Sequence, residues 1–289
     1  MKRMAYDCSW SPPPSSLMLW DDEVHLWRDW LDRPTFHLQT LYRMLALDEQ
    51  RRAGRFRFER DRNRFIARRG LLRMILVRYL GLDSESLRFC YGPNGKPSLE
   101  PECNPGELSF NMSHSDGLAI YAINRKRKIG VDVERVRPVP ENDKIVEDVF
   151  PSTKQARLPA RHPDQRAEAF LGWWTRNEAC VKASGDGLCR WMDSIDDSAR
   201  DGQPSRSNAA DSDSEEPVGW SFQTLVPAPG YTASVVVEGA DCRLACWRVP
   251  DEMELAGSPV KRGAQESCRS CYMPPQKQSE PVFIDSQSL

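Results

Sequence analysis

The chain has 289 residues, 28% of them charged and 39% hydrophobic, which is ordinary for a globular protein with one large core or two smaller ones. A net charge of −2 argues against a general nucleic-acid-binding protein, and no apolar run approaches the roughly 20 residues of a membrane span. Nine cysteines without a repeating spacing indicate a reducing compartment, and the N-terminus lacks a signal-peptide core, so we expect a cytoplasmic protein.

The first elements are a leader, a strand and a helical region. Residues 1–16 are expected to form a flexible leader, and residues 19–31 to supply a strand and a short helix. A helical pattern runs from 41 to 57, with Asp48 as the predicted N-cap of its second part. The next helix is predicted at 60–80, because five apolar side chains recur there at helical spacing. They are Phe65, Leu72, Ile75, Leu76 and Tyr79. Gly81 is expected to end this helix.

Short strands and a second helical region follow. Strands are predicted at 87–91, 108–112, 118–124 and 129–135, and Pro138 and Pro140 then suggest a domain boundary. The second half is expected to contain helices at 141–149 and 164–184, the latter ended by Gly185. Its strands are predicted at 220–226, 231–238 and 243–249.

This pattern predicts an α+β protein with two similar halves. The N-terminal half would span 17–136 and the C-terminal half 137–249. Residues 193–217 are rich in serine and aspartate and are expected to be a disordered acidic insertion, and residues 250–289 a disordered tail.

Charge is distributed unevenly along the chain. Residues 43–80 contain twelve arginines against four acidic residues, whereas residues 193–216 carry eight acidic residues. The basic stretch could follow a phosphate backbone, so a nucleic-acid-binding module is one alternative. Against it, the sequence has no aromatic stacking set on a strand and no groove-reading motif.

The predicted strand at 129–135 carries two carboxylates. Side chains alternate between the faces of a strand, so Val131 and Val133 would enter a core while Asp132 and Glu134 emerge together. Two adjacent carboxylates repel each other unless a cation lies between them, and hard oxygen ligands suit Mg²⁺. The alternative is a solvated edge strand.

The long second-half helix carries a charged pair. Glu178 and Lys182 are four residues apart and project from one face. Alone, such a pair is a routine helix salt bridge, worth about 0.3–0.5 kcal/mol. Combined with the carboxylates of the strand it also fits a magnesium enzyme, including a nuclease.

Four motifs in order resemble those of 4′-phosphopantetheinyl transferases, most closely the long, pseudo-dimeric surfactin-synthetase-activating type. The resemblance covers roughly residues 41–249. Any one motif is weak, but four at compatible spacing are specific. They are Gly95-Lys96-Pro97, Phe110-Asn111-Met112-Ser113-His114-Ser115, Gly130-Val131-Asp132-Val133-Glu134 and Trp174-Thr175-Arg176-Asn177-Glu178-Ala179-Cys180-Val181-Lys182.

The resemblance implies a fold and a reaction. It implies two similar α+β halves related by a pseudo-two-fold axis, with the site in the cleft between them. It implies transfer of 4′-phosphopantetheine from coenzyme A to a serine hydroxyl of an acyl or peptidyl carrier protein. Mg²⁺ would be required and adenosine 3′,5′-bisphosphate released. From composition and motifs we expect no nucleic-acid or membrane partner, and a cleft within one chain fits a monomer.

It also implies roles for particular residues. Three carboxylates would hold Mg²⁺, namely Asp132, Glu134 and Glu178. Glu178, or a water held by Glu134, would act as the base, and Lys182 would contact the pyrophosphate or assist the leaving phosphate. Contacts with coenzyme A would come from Arg52, Arg55, Arg64, Lys96, Ser113, His114 and Lys182.

Two further expectations concern a departure and a partner. The family generally has lysine directly before the helix glutamate, where this chain has Asn177, so activity would be weaker or Arg176 would substitute. Carrier proteins are generally acidic around their modified serine. The arginine-rich helices and the loop 125–128 are therefore candidate landing surfaces.

Overall fold

A computed structural model describes residues 9–137, 163–185, 219–239 and 242–250 of the chain. These residues belong to one compact unit that extends to Pro250. The helix predicted at 141–149, the acidic insertion and the tail after Pro250 lie outside the described residues. No helix in the described part combines the length and apolar character needed to cross a bilayer.

The described residues form four α-helices and nine strands. The helices are α1 (Thr35–Arg43), α2 (Leu47–Ala53), α3 (Glu59–Leu80) and α4 (Pro163–Ser184). The strands are β1 (Glu23–Trp30), β2 (Phe89–Tyr91), β3 (Pro97–Leu99), β4 (Leu108–Ser115), β5 (Leu118–Arg125), β6 (Ile129–Arg135), β7 (Trp220–Leu225), β8 (Tyr231–Glu238) and β9 (Arg243–Arg248). This mixture confirms the α+β class.

The strands form two larger sheets and a small hairpin. The first sheet has the order β4-β5-β1-β9, in which β1 and β9 are parallel and the other pairs antiparallel. The second sheet is antiparallel with the order β6-β8-β7, and β2 pairs with β3. Thus β6 joins strands from the end of the chain, while β9 joins strands from its beginning.

The two larger sheets share a hydrophobic core. Residues of β1 and β5 contact residues of β6 and β8 there, including Leu26, Ile120, Val131, Val133 and Val235, all at most 2% exposed. The prediction that Val131 and Val133 enter a core is therefore confirmed. Their burial fixes the face from which Asp132 and Glu134 emerge.

The helices match their predicted bounds to different degrees. Helix α3 begins one residue before its predicted start and ends at Gly81, whose φ of 63° is left-handed and therefore suits glycine. The prediction of two helical segments within 41–57 is confirmed in part, because α1 and α2 are separate helices but span Thr35–Arg43 and Leu47–Ala53. Ala46, not Asp48, is the N-cap of α2, and its N–H donates to the Glu49 carboxylate at 2.9 Å.

Part of the predicted leader lies against β9. The Ser11 N–H donates to the Cys246 carbonyl at 3.3 Å, and the Arg248 N–H donates to the Ser11 carbonyl at 2.9 Å. The region 19–31 forms β1 but not the additional short helix that its sequence suggested.

Two arginines of the basic stretch lie inside the protein. Arg69 and Arg73, 8% and 2% exposed, both donate to the buried carboxylate of Glu49. Their guanidinium carbons also lie over the Phe89 ring, at 4.2 Å and 5.0 Å from its centroid. These charges stabilise the packing of α2 on α3 and are not a surface for an anionic partner.

Candidate functional site

One face of β4 carries polar side chains that reach β6. Asn111, Ser113 and Ser115 alternate with outward neighbours, so all three point the same way. The Asn111 side-chain oxygen accepts a hydrogen bond from the Val131 N–H at 2.9 Å. This bond holds β6 beside β4, although the two strands belong to different sheets.

Asp132 is buried in a hydrogen-bonded group of three residues. Its Oδ1 accepts from the Ser113 hydroxyl at 2.7 Å and from the Lys182 ammonium at 2.6 Å. The ammonium lies 3.3 Å from the Ser113 oxygen as well. Asp132 is only 4% exposed, so the carboxylate end of this ion pair is shielded from water.

Ser115 holds the second carboxylate of β6. Its hydroxyl donates to Glu134 Oε2 at 2.7 Å and accepts from the Arg135 N–H at 3.1 Å. Ser113 and Ser115 thus fix Asp132 and Glu134 one after the other along the strand. The predicted common face of these two carboxylates is confirmed.

Helix α4 brings Glu178 and Lys182 to this face, and Gly130 permits its approach. A Cβ on Gly130 would lie 1.9 Å from the Ala179 carbonyl oxygen and 2.5 Å from the Ala183 nitrogen. Only glycine therefore fits between β6 and α4 at this point. Ala179, Cys180 and Ala183 of the helix also pack with Phe222 of β7 and Val236 of β8, the neighbours of Gly130 in the same sheet.

The three acidic side chains of the site influence one another. Burial, more than any charge, raises the pKa of Glu134, and the neighbouring charges of Asp132 and Glu178 raise it further despite the hydrogen bond from Ser115. Burial also raises the pKa of Glu178; the Lys182 ammonium opposes this rise and Asp132 adds to it. The site thus concentrates negative charge that one ammonium only partly neutralises.

The residues are of a kind that could hold Mg²⁺. Asp132 Oδ2 is buried and accepts no hydrogen bond from any residue that the structure describes, so a hard oxygen ligand is available. No three Asp, Glu, His or Cys side chains in the described ranges stand close enough to form a ready-made metal site. Asp132, Glu134 and Glu178 are therefore neighbours, not an assembled ligand set.

His114 lies on the face of β4 opposite Ser113 and Ser115. Burial, together with the charges of Arg68, Lys182 and Arg64, lowers its pKa to about 3. The imidazole is therefore neutral at pH 7, and it can accept a hydrogen bond at one nitrogen and donate from the other. Ser113 and His114 are adjacent in sequence, but their side chains lie on opposite faces of β4 and therefore in different surroundings.

The arginines predicted to bind phosphate have unequal surroundings. Arg52 and Arg55 are exposed at and after the end of α2, and the Arg52 guanidinium carbon lies 5.4 Å from the Phe65 ring centroid. Arg64 is held by Asp32 through two hydrogen bonds of 2.7 Å each, which raise the pKa of Arg64. Its Nη1 is also 3.9 Å from Asp116.

Lys96 is directed at backbone carbonyls. Its ammonium donates to the carbonyl oxygens of Ile129 at 2.9 Å, Lys182 at 2.5 Å and Ala183 at 3.5 Å. Burial is the main cause that lowers the pKa of Lys96, to about 8, with a smaller contribution from the charge of Lys128.

Neither residue before Glu178 provides a cation at the carboxylates. Asn177 is 6% exposed, and its side-chain amide donates to the Trp173 carbonyl of the same helix at 3.0 Å. The Arg176 guanidinium carbon lies 4.6 Å from the Phe222 ring centroid, over β7. Lys182 is the ammonium that pairs with Asp132.

Two residues contribute to the site beyond those chosen from the sequence. Asn111 and Ser115 orient β6 and Glu134 through the bonds described above. Period-two alternation from Ser113 would have found them, because both share its face of the strand. Asp116 accepts hydrogen bonds from Arg135 and Arg137 at 2.5 Å and 2.8 Å, and no such periodic pattern in the sequence predicts them.

Comparison with known proteins identifies two matching sequence models. The model described as the 4′-phosphopantetheinyl transferase superfamily matches residues 128–236. The model described as 4′-phosphopantetheinyl transferase, N-terminal, matches residues 28–126. The matches include β6 and α4 in one case and β4 with the arginine-rich helices in the other.

Similar proteins share these names. The chain is 37% identical over 239 residues to 4′-phosphopantetheinyl transferase HetI of Nostoc sp., covering 83% of this chain and 98% of the relative. It is 29% identical over 168 residues to a 4′-phosphopantetheinyl transferase of Bacillus subtilis, covering 57% and 72%. Identity to the transferase AcpT of Escherichia coli is 36% over 124 residues, covering 43% and 58%.

Proposed function

The chain belongs to the 4′-phosphopantetheinyl transferase superfamily, and we propose that the β6–α4 site is where it transfers phosphopantetheine from coenzyme A to a carrier protein. The enzyme is a transferase that acts on carrier proteins. The acceptor in the proposed reaction is a serine hydroxyl, and the released product is adenosine 3′,5′-bisphosphate. The observation that supports the location is the buried group of Ser113, Asp132 and Lys182.

The chemistry is a phosphoryl transfer. The serine oxygen forms a bond to the phosphorus that carries pantetheine, and the bond from that phosphorus to the bridging oxygen breaks. The electron pair leaves with adenosine 3′,5′-bisphosphate, and the serine proton passes to a base. Such reactions depend on positioning and on compensation of phosphate charge.

Glu178 is the proposed base. Its raised pKa makes its carboxylate a better proton acceptor than that of an ordinary glutamate. A water held by Glu134 is the alternative acceptor, since Ser115 fixes that carboxylate. Lys182 is proposed to approach the pyrophosphate, because its ammonium already lies at the edge of the group and its side chain is 31% exposed.

Asp132, Glu134 and Glu178 are the proposed Mg²⁺ ligands. A bound Mg²⁺ would supply positive charge to the pyrophosphate oxygens. The unused Oδ2 of Asp132 and the mutual repulsion of the carboxylates support this assignment. The three side chains would have to draw together on the ion, since they are not an assembled set among the described residues.

The coenzyme A contacts expected from the resemblance differ in how well their surroundings support them. Ser113 and Lys182 belong to the hydrogen-bonded group around Asp132. His114 lies beside Arg64 and Arg68 on the other face of β4. Arg52 and Arg55 are exposed, and a guanidinium group can donate two parallel hydrogen bonds to phosphate oxygens. Lys96 is the least suited of the proposed set, because three carbonyls already occupy its donors.

An acidic carrier protein is proposed to land on the surface formed by α1, α2 and the start of α3. Three large apolar side chains are exposed there, Phe36, Leu47 and Phe58, at 64%, 71% and 61%. Exposed arginines also occur in these helices, namely Arg51 and Arg52 in α2 and Arg60 and Arg62 in α3. In the loop 125–128, Arg125 and Arg127 instead donate to backbone carbonyls of Leu19, Gly106 and Glu238.

We further propose a monomeric cytoplasmic enzyme without nucleic-acid or membrane partners. The test is incubation of the protein with coenzyme A, Mg²⁺ and an apo carrier protein, followed by intact-mass measurement of the carrier. The expected result is a gain of one phosphopantetheine, absent when the carrier serine is replaced by alanine. No gain with fatty-acid, polyketide and peptide carriers, together with salt-dependent binding of a generic oligonucleotide, would favour the nucleic-acid alternative.

A further inference from the structure

Two side chains of the turn between β2 and β3 cap the C-terminal end of α4. The last carbonyls of a helix have no partner within the helix, and an uncompensated end is unfavourable. Lys96 donates to two of these carbonyls, Lys182 at 2.5 Å and Ala183 at 3.5 Å. The Asn94 amide donates to the Gly185 carbonyl just beyond the helix at 2.7 Å. A distant turn thus provides the cap of α4.

The same ammonium also holds the beginning of β6. It donates to the Ile129 carbonyl at 2.9 Å, so one ammonium joins the first residue of β6 to the last turn of α4. An ammonium has three N–H donors, and three carbonyls accept from this one. A positive charge here is further favoured by the negative end of the helix dipole.

Lys96 thus contacts the backbone of β6 and α4, the two elements that carry Asp132, Glu134, Glu178 and Lys182. The Lys182 carbonyl accepts from Lys96, while the Lys182 side chain donates to Asp132 at 2.6 Å. Asp132 is three residues beyond Ile129 on β6. The position of Lys96 therefore bears on the distance between the Lys182 ammonium and the Asp132 carboxylate.

We propose that Lys96 and Asn94 are positioning residues that set the place of Lys182 opposite Asp132, an inference that rests on the proposed function of the β6–α4 site. Lys96 acts through the backbone of α4 and β6 and does not bind the nucleotide. To reach a phosphate, its ammonium would have to abandon carbonyls that have no other cap among the described residues. Asn94 supports the same end of the helix through its hydrogen bond to Gly185, the residue that follows α4.

Kinetics separate positioning from nucleotide binding. Lys96→Met keeps the length of the side chain and removes its donors. We expect kcat to fall about ten- to a hundred-fold, because small displacements of catalytic groups have effects of this size, while KM for coenzyme A changes less than about twofold. Asn94→Ala should act in the same direction with a smaller loss. A rise in KM with kcat unchanged would instead show a nucleotide contact and overturn the proposal.

A double variant tests whether the effect passes through Lys182. If Lys96 works by placing that ammonium, Lys96→Met should reduce kcat less than about twofold in a Lys182→Met background, because coupled residues are not additive. Full additivity would contradict the proposal. Arg88→Met is the matched control: Arg88 also donates to backbone carbonyls, of Glu85 and Leu87, but far from α4 in the chain. Its kinetics should equal those of the unaltered enzyme.

Hydrogen exchange tests the cap without any enzyme assay. Amides of residues 181–185 should exchange at least about tenfold faster in Lys96→Met and in Asn94→Ala, and no faster in the Arg88 control. Unchanged exchange in both variants would refute the capping role even if transfer is observed. Faster exchange in a protein that never modifies a carrier would uphold the cap and refute the proposed function. Should Lys96→Met not fold, Asn94→Ala decides the same question.

Discussion

Replacing Gly130 by alanine is expected to separate α4 from β6. The added Cβ would stand 1.9 Å from the Ala179 carbonyl oxygen and 2.5 Å from the Ala183 nitrogen. An ordinary contact is about 3.5 Å, so the helix has to move by about 1.5 Å. Both obstructing atoms are backbone and cannot rotate away, which places the loss of stability near the upper end of the range for overpacking, about 3 kcal/mol.

The shift should be visible in both melting and activity. A loss of about 3 kcal/mol corresponds to a decrease in Tm of roughly 6–12 °C for a domain of this size. Displacement of Glu178 and Lys182 by about 1 Å should lower transfer to the carrier about a hundred-fold.

Gly172 offers a control on the same helix, because a Cβ there would have no atom within 4 Å. Gly172→Ala should gain about 0.5–1 kcal/mol from helix propensity and leave transfer unchanged. If Gly130→Ala melts and reacts like the unaltered protein, α4 does not pack on β6 as described.

Three further substitutions probe the acidic group. Asp132→Asn keeps the shape but removes the charge that pairs with Lys182, so transfer should fall at least about a hundred-fold in an intact-mass assay. Ser115→Ala removes the hydrogen bond that lowers the pKa of Glu134, so the acid limb of the rate profile should move to higher pH; an unmoved limb would exclude Glu134 from the titrating groups. Glu178→Gln should lower the rate by about 10²–10⁴, as expected for a general base, and leave only the acid limb set by Glu134. Because the pKa of Glu178 is raised, the metal-free protein loses stability as pH rises through that pKa, and melting curves of Glu178→Gln should lack this loss.

Local patterns of the sequence predict the elements of the site well. Alternating valines and acids on β6 identified both its strand and the common face of Asp132 and Glu134. Spacing of four residues on α4 gave Glu178 and Lys182, and Gly81 ended α3 as expected. Such features depend on neighbours within a few positions, which the sequence displays directly.

Contacts between distant residues could not be obtained in the same way. Counting charges in residues 43–80 did not reveal that Arg69 and Arg73 are buried against Glu49, or that Arg64 is held by Asp32. Lys96 similarly resembled a nucleotide contact until its carbonyl partners on other elements were visible. Sequence spacing carries no information on such partners, because tertiary packing alone brings them together.

Dependence of transfer on Mg²⁺, in the unaltered enzyme and in Asp132→Asn, tests the central claim most directly. Carrier mass is measured over a range of Mg²⁺ concentrations after removal of bound metal with a chelator. We expect no transfer without the ion, saturation in the unaltered enzyme, and a requirement for at least about tenfold more Mg²⁺ in the variant. Equal transfer in the presence of the chelator, or the same Mg²⁺ dependence for both proteins, would contradict a cation held by the carboxylates of β6 and α4.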